Sequence, residues 1–300
     1  MEENLKDELM RRTPAPCCLT IAGSDSGGNA GVQADLRAFH AYGLHGCTVF
    51  AALTAQNPSG VSAVHPVPAD FVAAQLDAVL GVYAIRALKT GMVADPAAVE
   101  AVAERLARHP EIAKVVDPVM VATSGARLAG DDAMTALCRR LLPLATLVTP
   151  NLPEAEALCA GGGAMGASRP TKAGAVLPHL ARPTVARARE LARAIYETYG
   201  CAVLVKGGHG EGAASVDVLY DGRDFAEFAL PRIADPVSTH GTGCSLAAAL
   251  AAELALGRDL ASAVAGAKAY VHDAIARSYW VGADCGVLGF APRDAARGNP

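Results

Sequence analysis

Short runs of β-branched and small apolar residues alternate along the chain with stretches whose apolar positions recur at helical spacing. Cys18–Ala22 predicts a buried strand, and Ala30–Ala41 a helix after a glycine-rich turn. Cys47–Ala52 predicts a second strand. Over Ala69–Leu80, Phe71, Leu76, Val79 and Leu80 recur near helical spacing, so this stretch reads as a helix. Ala87–Lys89 predicts a short strand ending at Gly91. Asp95 before Pro96 has the pattern of an N-cap and a first helical residue. A strand over Ile112–Val116, a helix over Asp131–Leu142 and a short strand at Leu147–Val148 follow. Pro153 opens a helix to Cys159, and Ala202–Lys206 reads as a strand. Alternation of this kind implies right-handed βαβ units and a parallel sheet with helices on both faces. Near the end the pattern changes. Val216–Tyr220 and Phe225–Leu230 flank Asp221-Gly222, a hairpin signal, so antiparallel strands are expected at one edge of the sheet. Two helices over residues 244–256 and 259–279 close the chain.

The length of 300 residues allows one large α/β domain or two ordinary ones, and 52% hydrophobic residues supply a sizeable core. No apolar run reaches the roughly 18 uncharged residues of a membrane span. The nearest, 246–256, is short and interrupted by Glu253. Met1–Arg12 is charged and polar and lacks the apolar region of a secretory signal, so residues 1–16 read as a tail. A net charge of −4 and 5% aromatics argue against nucleic-acid binding. The eight cysteines are scattered without a C-x-x-C pair, which speaks against zinc and for reduced thiols in the cytoplasm. Residues 161–187 are rich in Gly, Ala and Pro and read as a flexible insertion. Gly161, Gly163 and Gly166 match a dinucleotide fingerprint formally, but they follow a helix rather than a strand.

Open α/β sheets bind ligands beyond the carboxyl ends of their strands, so the residues just after each strand are the candidates. The most informative stretch is Thr239-His240-Gly241-Thr242-Gly243-Cys244, which runs into an alanine-rich helix. Its glycines permit tight turns, and the helix end presents unpaired N–H groups and positive dipole, a natural phosphate site. Cys244 falls in the first turn, where a thiol is expected to be acidified. Gly23 to Gly31 after the first strand either lets a loop approach a ligand or is a tight turn with N-caps. Asp35, just inside the next helix, could bond a substrate hydroxyl or amine, or be a solvated charge. Gln56 carries a donor and an acceptor suited to a heterocycle edge, or is simply loop polarity before Pro58. Met92 reads as pocket lining or as core. Asp117 suits metal or phosphate chemistry, or a simple turn. Asn151 and Glu154, three apart at a helix start, suit water-mediated Mg2+ or a capping box. Lys206 before Gly207-Gly208 can reach phosphates as a point charge, or is a snorkelling lysine, and His209 beside it reads as an ordinary loop histidine.

Together these segments resemble the hydroxymethylpyrimidine/phosphomethylpyrimidine kinases of thiamine biosynthesis, in the ribokinase superfamily. The resemblance rests on Ile21–Gly28, Gly31–Leu36, Thr54–Asn57, Asp117–Met120, Thr149–Ala155, Val205–His209 and His240–Cys244, in that order over about residues 18–280. It implies a ribokinase-like three-layer α/β/α fold in a single domain over 17–282, with 283–300 as a C-terminal tail. It implies ATP-dependent phosphorylation of 4-amino-5-hydroxymethyl-2-methylpyrimidine and then of its monophosphate. By the same resemblance Gln56 meets the aminopyrimidine, and Gly23, Ala30, Asp35, Met92 and Val119 shape its pocket. Cys244 stands where many relatives have an aspartate base. Asn151 and Glu154, with Asp117, would organise Mg2+. Lys206, Thr239, Gly241, Thr242 and Gly243 would hold ATP and the transferring phosphoryl group. A homodimer is implied too. Relatives often carry a residue with phosphate reach in the loop after Asp-Pro-Val-Met; here Ala122-Thr123-Ser124-Gly125 stands there, with Arg127 nearby.

Three rival readings differ in what they require. A pyridoxal kinase would share the fold and nucleotide site, and those with a cysteine base tend to carry a second cysteine where Ala122 stands. A non-catalytic vitamin-binding protein would not need Gly241, Gly243, Asn151, Glu154 and Lys206 intact. A hydrolase using Cys244 as nucleophile would need His and Asp partners that the sequence does not place.

Overall fold

The computed structural model describes residues 15–58, 60–120, 130–162, 184–208 and 212–291. Its strands are β1 (Cys17–Asp25), β2 (His45–Asn57), β3 (Gly60–Pro66), β4 (Ile85–Thr90), β5 (Ala113–Val116), β6 (Leu147–Val148), β7 (Ala202–Val205), β8 (Ala214–Tyr220), β9 (Phe225–Pro231), β10 (Tyr279–Gly282) and β11 (Cys285–Val287). Its α-helices are α1 (Gly31–Ala41), α2 (Ala69–Leu80), α3 (Pro96–Leu106), α4 (Asp131–Ala136), α5 (Leu152–Gly162), α6 (Val185–Tyr199), α7 (Thr242–Ala255) and α8 (Leu260–Ala276). The first nine strands form one sheet in the order β3-β2-β1-β4-β5-β6-β7-β8-β9. Pairing is parallel from β2 through β7 and antiparallel at both edges.

Period-two alternation along the strands explains the three layers. Leu19, Ile21, Val49, Leu88, Val116, Val148 and Val203 point into one core, with α2 to α6. Their neighbours Cys18, Ala87, Val115, Leu147 and Leu204 point into the other, with α1, α7 and α8. Both sets are buried, so β6 and β7 read as continuous apolar runs, whereas β1, β4 and β5 carry buried Thr20, Lys89 and Lys114 within theirs. Helix α7 is apolar nearly all round, as a helix sandwiched between a sheet and two helices must be. Its row of alanines brings the backbone close to the sheet, which delivers its N-terminus to the carboxyl ends of β5 and β7.

The expected α/β/α architecture is present, and several details differ. Strand β2 runs on to Asn57 and turns back into β3, an antiparallel strand the sequence pattern did not suggest. Most of β3 is exposed, so it carries no apolar signature. The helix expected over Asp131–Leu142 changes character after Ala136. Leu137–Leu141 is a π turn and Leu142–Leu144 a 3-10 turn, because Pro143 has no N–H to continue the ladder. Phe71, expected on the buried face of α2, is 60% exposed; Val72, Ala73 and Leu76 form that face. The C-terminal tail expected from residue 283 begins later. β11 pairs with β10, Leu288 is buried, and Phe290 stacks on Tyr270 at 5.7 Å. The insertion expected over 161–187 is trimmed at both ends by α5 and by α6, whose N-cap Thr184 accepts from Arg187 N. The remainder lies outside the described residues, as do most of the N-terminal tail, Ala122–Gly125, Arg127 and His209.

Candidate functional site

Two loops meet at the carboxyl ends of the strands. The first leaves β1 through Asp25, whose Oδ1 accepts from Gly27 N (2.8 Å) and whose Oδ2 accepts from Asn29 N (2.9 Å) and Ala30 N (2.8 Å). One carboxylate thereby folds the turn that starts α1. Burial acts to raise Asp25's pKa, but His240 and the three N–H groups outweigh it and hold the carboxyl below its ordinary value. His240 Nε2 stands 3.8 Å from Asp25 Oδ2, tying this turn to the second loop. That second loop caps α7 with Gly241 at φ 87°, a left-handed conformation. A Cβ at Gly241 would lie 1.9 Å from Asn29 O, so the two loops touch backbone to backbone and only glycine fits.

Beside Gly243 lies a cluster of charge. A Cβ there would have Lys206 Nζ at 3.7 Å and Asp117 Oδ2 at 3.9 Å. Lys206 Nζ is 2.9 Å from Asp117 Oδ1 and 3.8 Å from Glu154 Oε2. Thr149 Oγ1 donates to the same Asp117 oxygen at 3.1 Å. Asn151 and Glu154 form a reciprocal capping box: Asn151 N donates to Glu154 Oε2 (2.8 Å) and Glu154 N to Asn151 Oδ1 (2.9 Å). Burial opposes the charge on Lys206, yet Asp117 and then Glu154 outweigh it and raise its pKa, so the ammonium persists. Burial raises the pKa of Glu154; Lys206 opposes this and Asp117 adds to it.

Hard oxygen donors at Asp117, Glu154 and Asn151 suit a divalent cation such as Mg2+. The Lys206 ammonium already occupies the space between the two carboxylates, and no cluster of three His, Cys, Asp or Glu suited to a metal occurs among the described residues. The fit is therefore to an ion held largely through its waters and a ligand's phosphates.

Cys244 lies in the first turn of α7, half-buried. Its thiol is not acidified as the sequence suggested. Burial pushes its pKa up, Lys89 pulls it down, and Asp35 and Asp117 add to the rise. A helix N-terminus argument counts the dipole and omits desolvation and two nearby carboxylates. Asp35 also departs from expectation. It is 0% exposed, bound by Lys89 Nζ (2.9 Å to each oxygen) and by Thr20 Oγ1 (2.6 Å), and so does not face a ligand here. Helix α1 turns Asp35 inward onto β4.

The remaining candidates lie at several places around the strand ends. Gly23 and Met92 are adjacent: a Cβ at Gly23 would lie 2.4 Å from Met92 Cε, so the glycine makes room for the methionine end. Gln56 sits on the extension of β2, clasped through its backbone by Ser26 Oγ (2.7 and 2.8 Å). Thr54 Oγ1 is 3.3 Å from Gln56 Oε1. Ser26, Gln56, Asn57 and Ser62 line an open groove there. Val119 and Ala30 are half-buried, the former just past Asp117 and the latter at the start of α1. Thr239 is exposed on the loop and its carbonyl accepts from Thr242 N at 3.4 Å. Sequence reasoning did not single out Lys89, Thr149, Asp25 or His240. The last three lie inside quoted motifs, which was the available signal.

Comparison with known proteins follows the same line. The family model for phosphomethylpyrimidine kinase matches residues 25–289. A hydroxymethylpyrimidine/phosphomethylpyrimidine kinase of Rhizobium meliloti is 48% identical over 86% of this chain and 89% of its own. A crystal structure of phosphomethylpyrimidine kinase from Clostridium difficile superposes with TM-score 0.70 at 35% identity, over 86% of this chain and 99% of its own. An ADP complex of pyridoxal kinase from Bacillus subtilis superposes with TM-score 0.78 at 32% identity, over 93% and 98%.

Proposed function

The chain belongs to the phosphomethylpyrimidine kinase family, and from the site's geometry we propose how its residues divide the work. Its reaction is ATP-dependent phosphorylation of 4-amino-5-hydroxymethyl-2-methylpyrimidine, and of the monophosphate to the diphosphate, in thiamine biosynthesis. The observation that carries the assignment of roles is the meeting of Lys206, Asp117 and Glu154 with Gly243 at the N-terminus of α7.

The γ-phosphoryl group sits at the α7 N-terminus, where the N–H groups of the Gly241–Gly243 turn face the charge that develops on its oxygens. Lys206 exchanges part of its ion pair with Asp117 for the ATP phosphates. Asp117, Asn151 and Glu154 would hold Mg2+, which neutralises phosphate charge when bound. Thr239 and Thr242 flank the nucleotide on the same loop. The pyrimidine lies between Gln56 and the Gly23–Met92–Val119 wall, with Ala30 at the α1 end. Its hydroxymethyl oxygen bonds to the γ-phosphorus as the bond to ADP breaks, and Cys244 in its thiolate form takes the hydroxyl proton and becomes the thiol. Asp35 supports this floor through Lys89 rather than touching the substrate.

In the second step the attacking group is a phosphate oxygen. A phosphate monoester, with its second pKa near 6, is already mostly dianionic at neutral pH and needs no base. Cys244 therefore serves chiefly the first step. No helix of the described residues is long and apolar enough to cross a membrane. Action in the cytoplasm, a single kinase domain and a homodimer belong to this proposal on family resemblance; sedimentation tests the dimer.

A second reading, pyridoxal phosphorylation, is favoured by one observation, the higher superposition onto pyridoxal kinase. The deciding experiment offers the hydroxymethylpyrimidine, its monophosphate and pyridoxal in parallel with ATP and Mg2+, and records product masses. Mono- and diphosphate from the pyrimidine are expected. Turnover of pyridoxal alone would transfer the assignment.

A further inference from the structure

Lys206 lies at the end of β7, followed by two glycines that impose no conformation of their own. Two side chains, Asp217 of β8 and Arg232 just past β9, fix this turn. Gly207 N donates to Asp217 Oδ1 at 2.7 Å. Gly207 O accepts from Arg232 Nη2 (3.1 Å) and Gly208 O from Arg232 Nη1 (2.8 Å). Arg232 Nε closes the set on Gly212 O at 3.0 Å. The turn is also pressed onto β8: a Cβ at Gly207 would lie 1.9 Å from Val216 O.

Asp217 does not act alone. Its other oxygen is 2.8 Å from Lys268 Nζ on α8, and both residues are more than nine-tenths buried. A buried ion pair is weak evidence for stability, because desolvation offsets most of the attraction and an apolar pair serves as well. What an apolar pair could not do is accept from Gly207 N.

We infer that Asp217, held by Lys268, and Arg232 are positioning residues for the nucleotide: they fix the Lys206–Gly207–Gly208 turn so that the Lys206 ammonium meets the ATP phosphates. This rests on the proposed role of Lys206. The bonds of both residues go to this turn, to Gly212 and to Lys268 rather than to the residues proposed around the pyrimidine, so their loss acts on nucleotide affinity and leaves acceptor affinity alone.

The test compares two variants that both remove the buried charges. D217L/K268M deletes the acceptor; D217N/K268M keeps an amide oxygen for Gly207 N. The leucine form is expected to raise the KM for ATP about tenfold, the scale of one buried donor left unsatisfied. The asparagine form should recover most of that, and the KM for the pyrimidine should hold in both. Equal KM values for ATP in the two forms would overturn the inference. Should the leucine form not fold, Arg232→Met decides. It keeps the apolar stem and removes the three carbonyl bonds. A several-fold rise in the KM for ATP with an unchanged melting temperature supports positioning, and an unchanged KM refutes it. If wild-type protein still phosphorylates the pyrimidine while these effects are absent, only this inference falls.

Discussion

Lys89→Met separates structural charge from catalytic charge at this site. Lys89 and Asp35 are both fully buried and joined by two contacts of 2.9 Å, with Thr20 as the other side-chain donor to the carboxylate. Removing one partner of such a pair costs about 3–5 kcal/mol, whereas replacing both costs little. Burial already pushes Asp35 up, and Lys89 is the first force that opposes it. Without the lysine, Asp35 takes up a proton and relieves part of the penalty, so we expect a loss of about 3 kcal/mol at neutral pH. At roughly 2–4 °C per kcal/mol, the melting temperature falls by about 6–12 °C. The pH dependence has a definite sign. In the variant, Asp35's folded pKa lies above its unfolded value of about 3.9, so the fold binds the extra proton. Stability is then fullest in acid and drains as pH rises through the folded pKa, making the loss larger at pH 8 than at pH 5. Asp35→Asn added to Lys89→Met removes the orphan charge, keeps an acceptor for Thr20, and should restore most of the stability. The assay is urea unfolding of the three proteins at both pH values. A single variant within about 1 kcal/mol of wild type at pH 8 would refute the reasoning, as would a double variant no better than the single.

Other predictions follow from the same geometry. Cys244→Ala should lower kcat for the first phosphorylation by roughly 10²–10⁴, the scale of a lost general base, and affect the second far less; equal losses in both steps would remove Cys244 as a base. Because the Cys244 thiol is raised, kcat/KM for the first step should climb with pH through the neutral range and past the ordinary thiol pKa of about 8.5. A profile flat from pH 7 to 9 would contradict that. Gln56→Ala should raise the KM for the pyrimidine and spare that for ATP, and equal damage to both would indicate a structural role. Gly241→Ala forces a Cβ onto Asn29 O at φ 87°, so it should abolish ATP binding measured by calorimetry; normal affinity would show that the two loops are not locked.

Much of the fold was legible because strands buried on both faces, such as Val203–Val205, stand out as apolar runs between helical periods. Strand β3 was not, because its outward residues have no apolar pattern and only pairing with the polar end of β2 defines it. The charged cluster was legible as polar residues placed just after strands: Asp117, Asn151, Glu154 and Lys206. Lys89 was not, since a lysine in a strand ordinarily reads as exposed and its burial depends on Asp35, 54 positions away. Asp35 and Cys244 were identified by position and misjudged in environment. Exposure and pKa depend on what the tertiary fold brings alongside, and here that was the buried Lys89 cation and the Asp117 carboxylate.

The central claim is that phosphoryl transfer takes place where Lys206 meets the N-terminus of α7. The most direct test is steady-state kinetics of Lys206→Met, with the hydroxymethylpyrimidine saturating and ATP varied. The account predicts a folded protein whose kcat/KM for ATP falls by about 10²–10³, the scale of removing one group aimed at transition-state charge. Turnover within a few-fold of wild type would contradict it and move the site elsewhere.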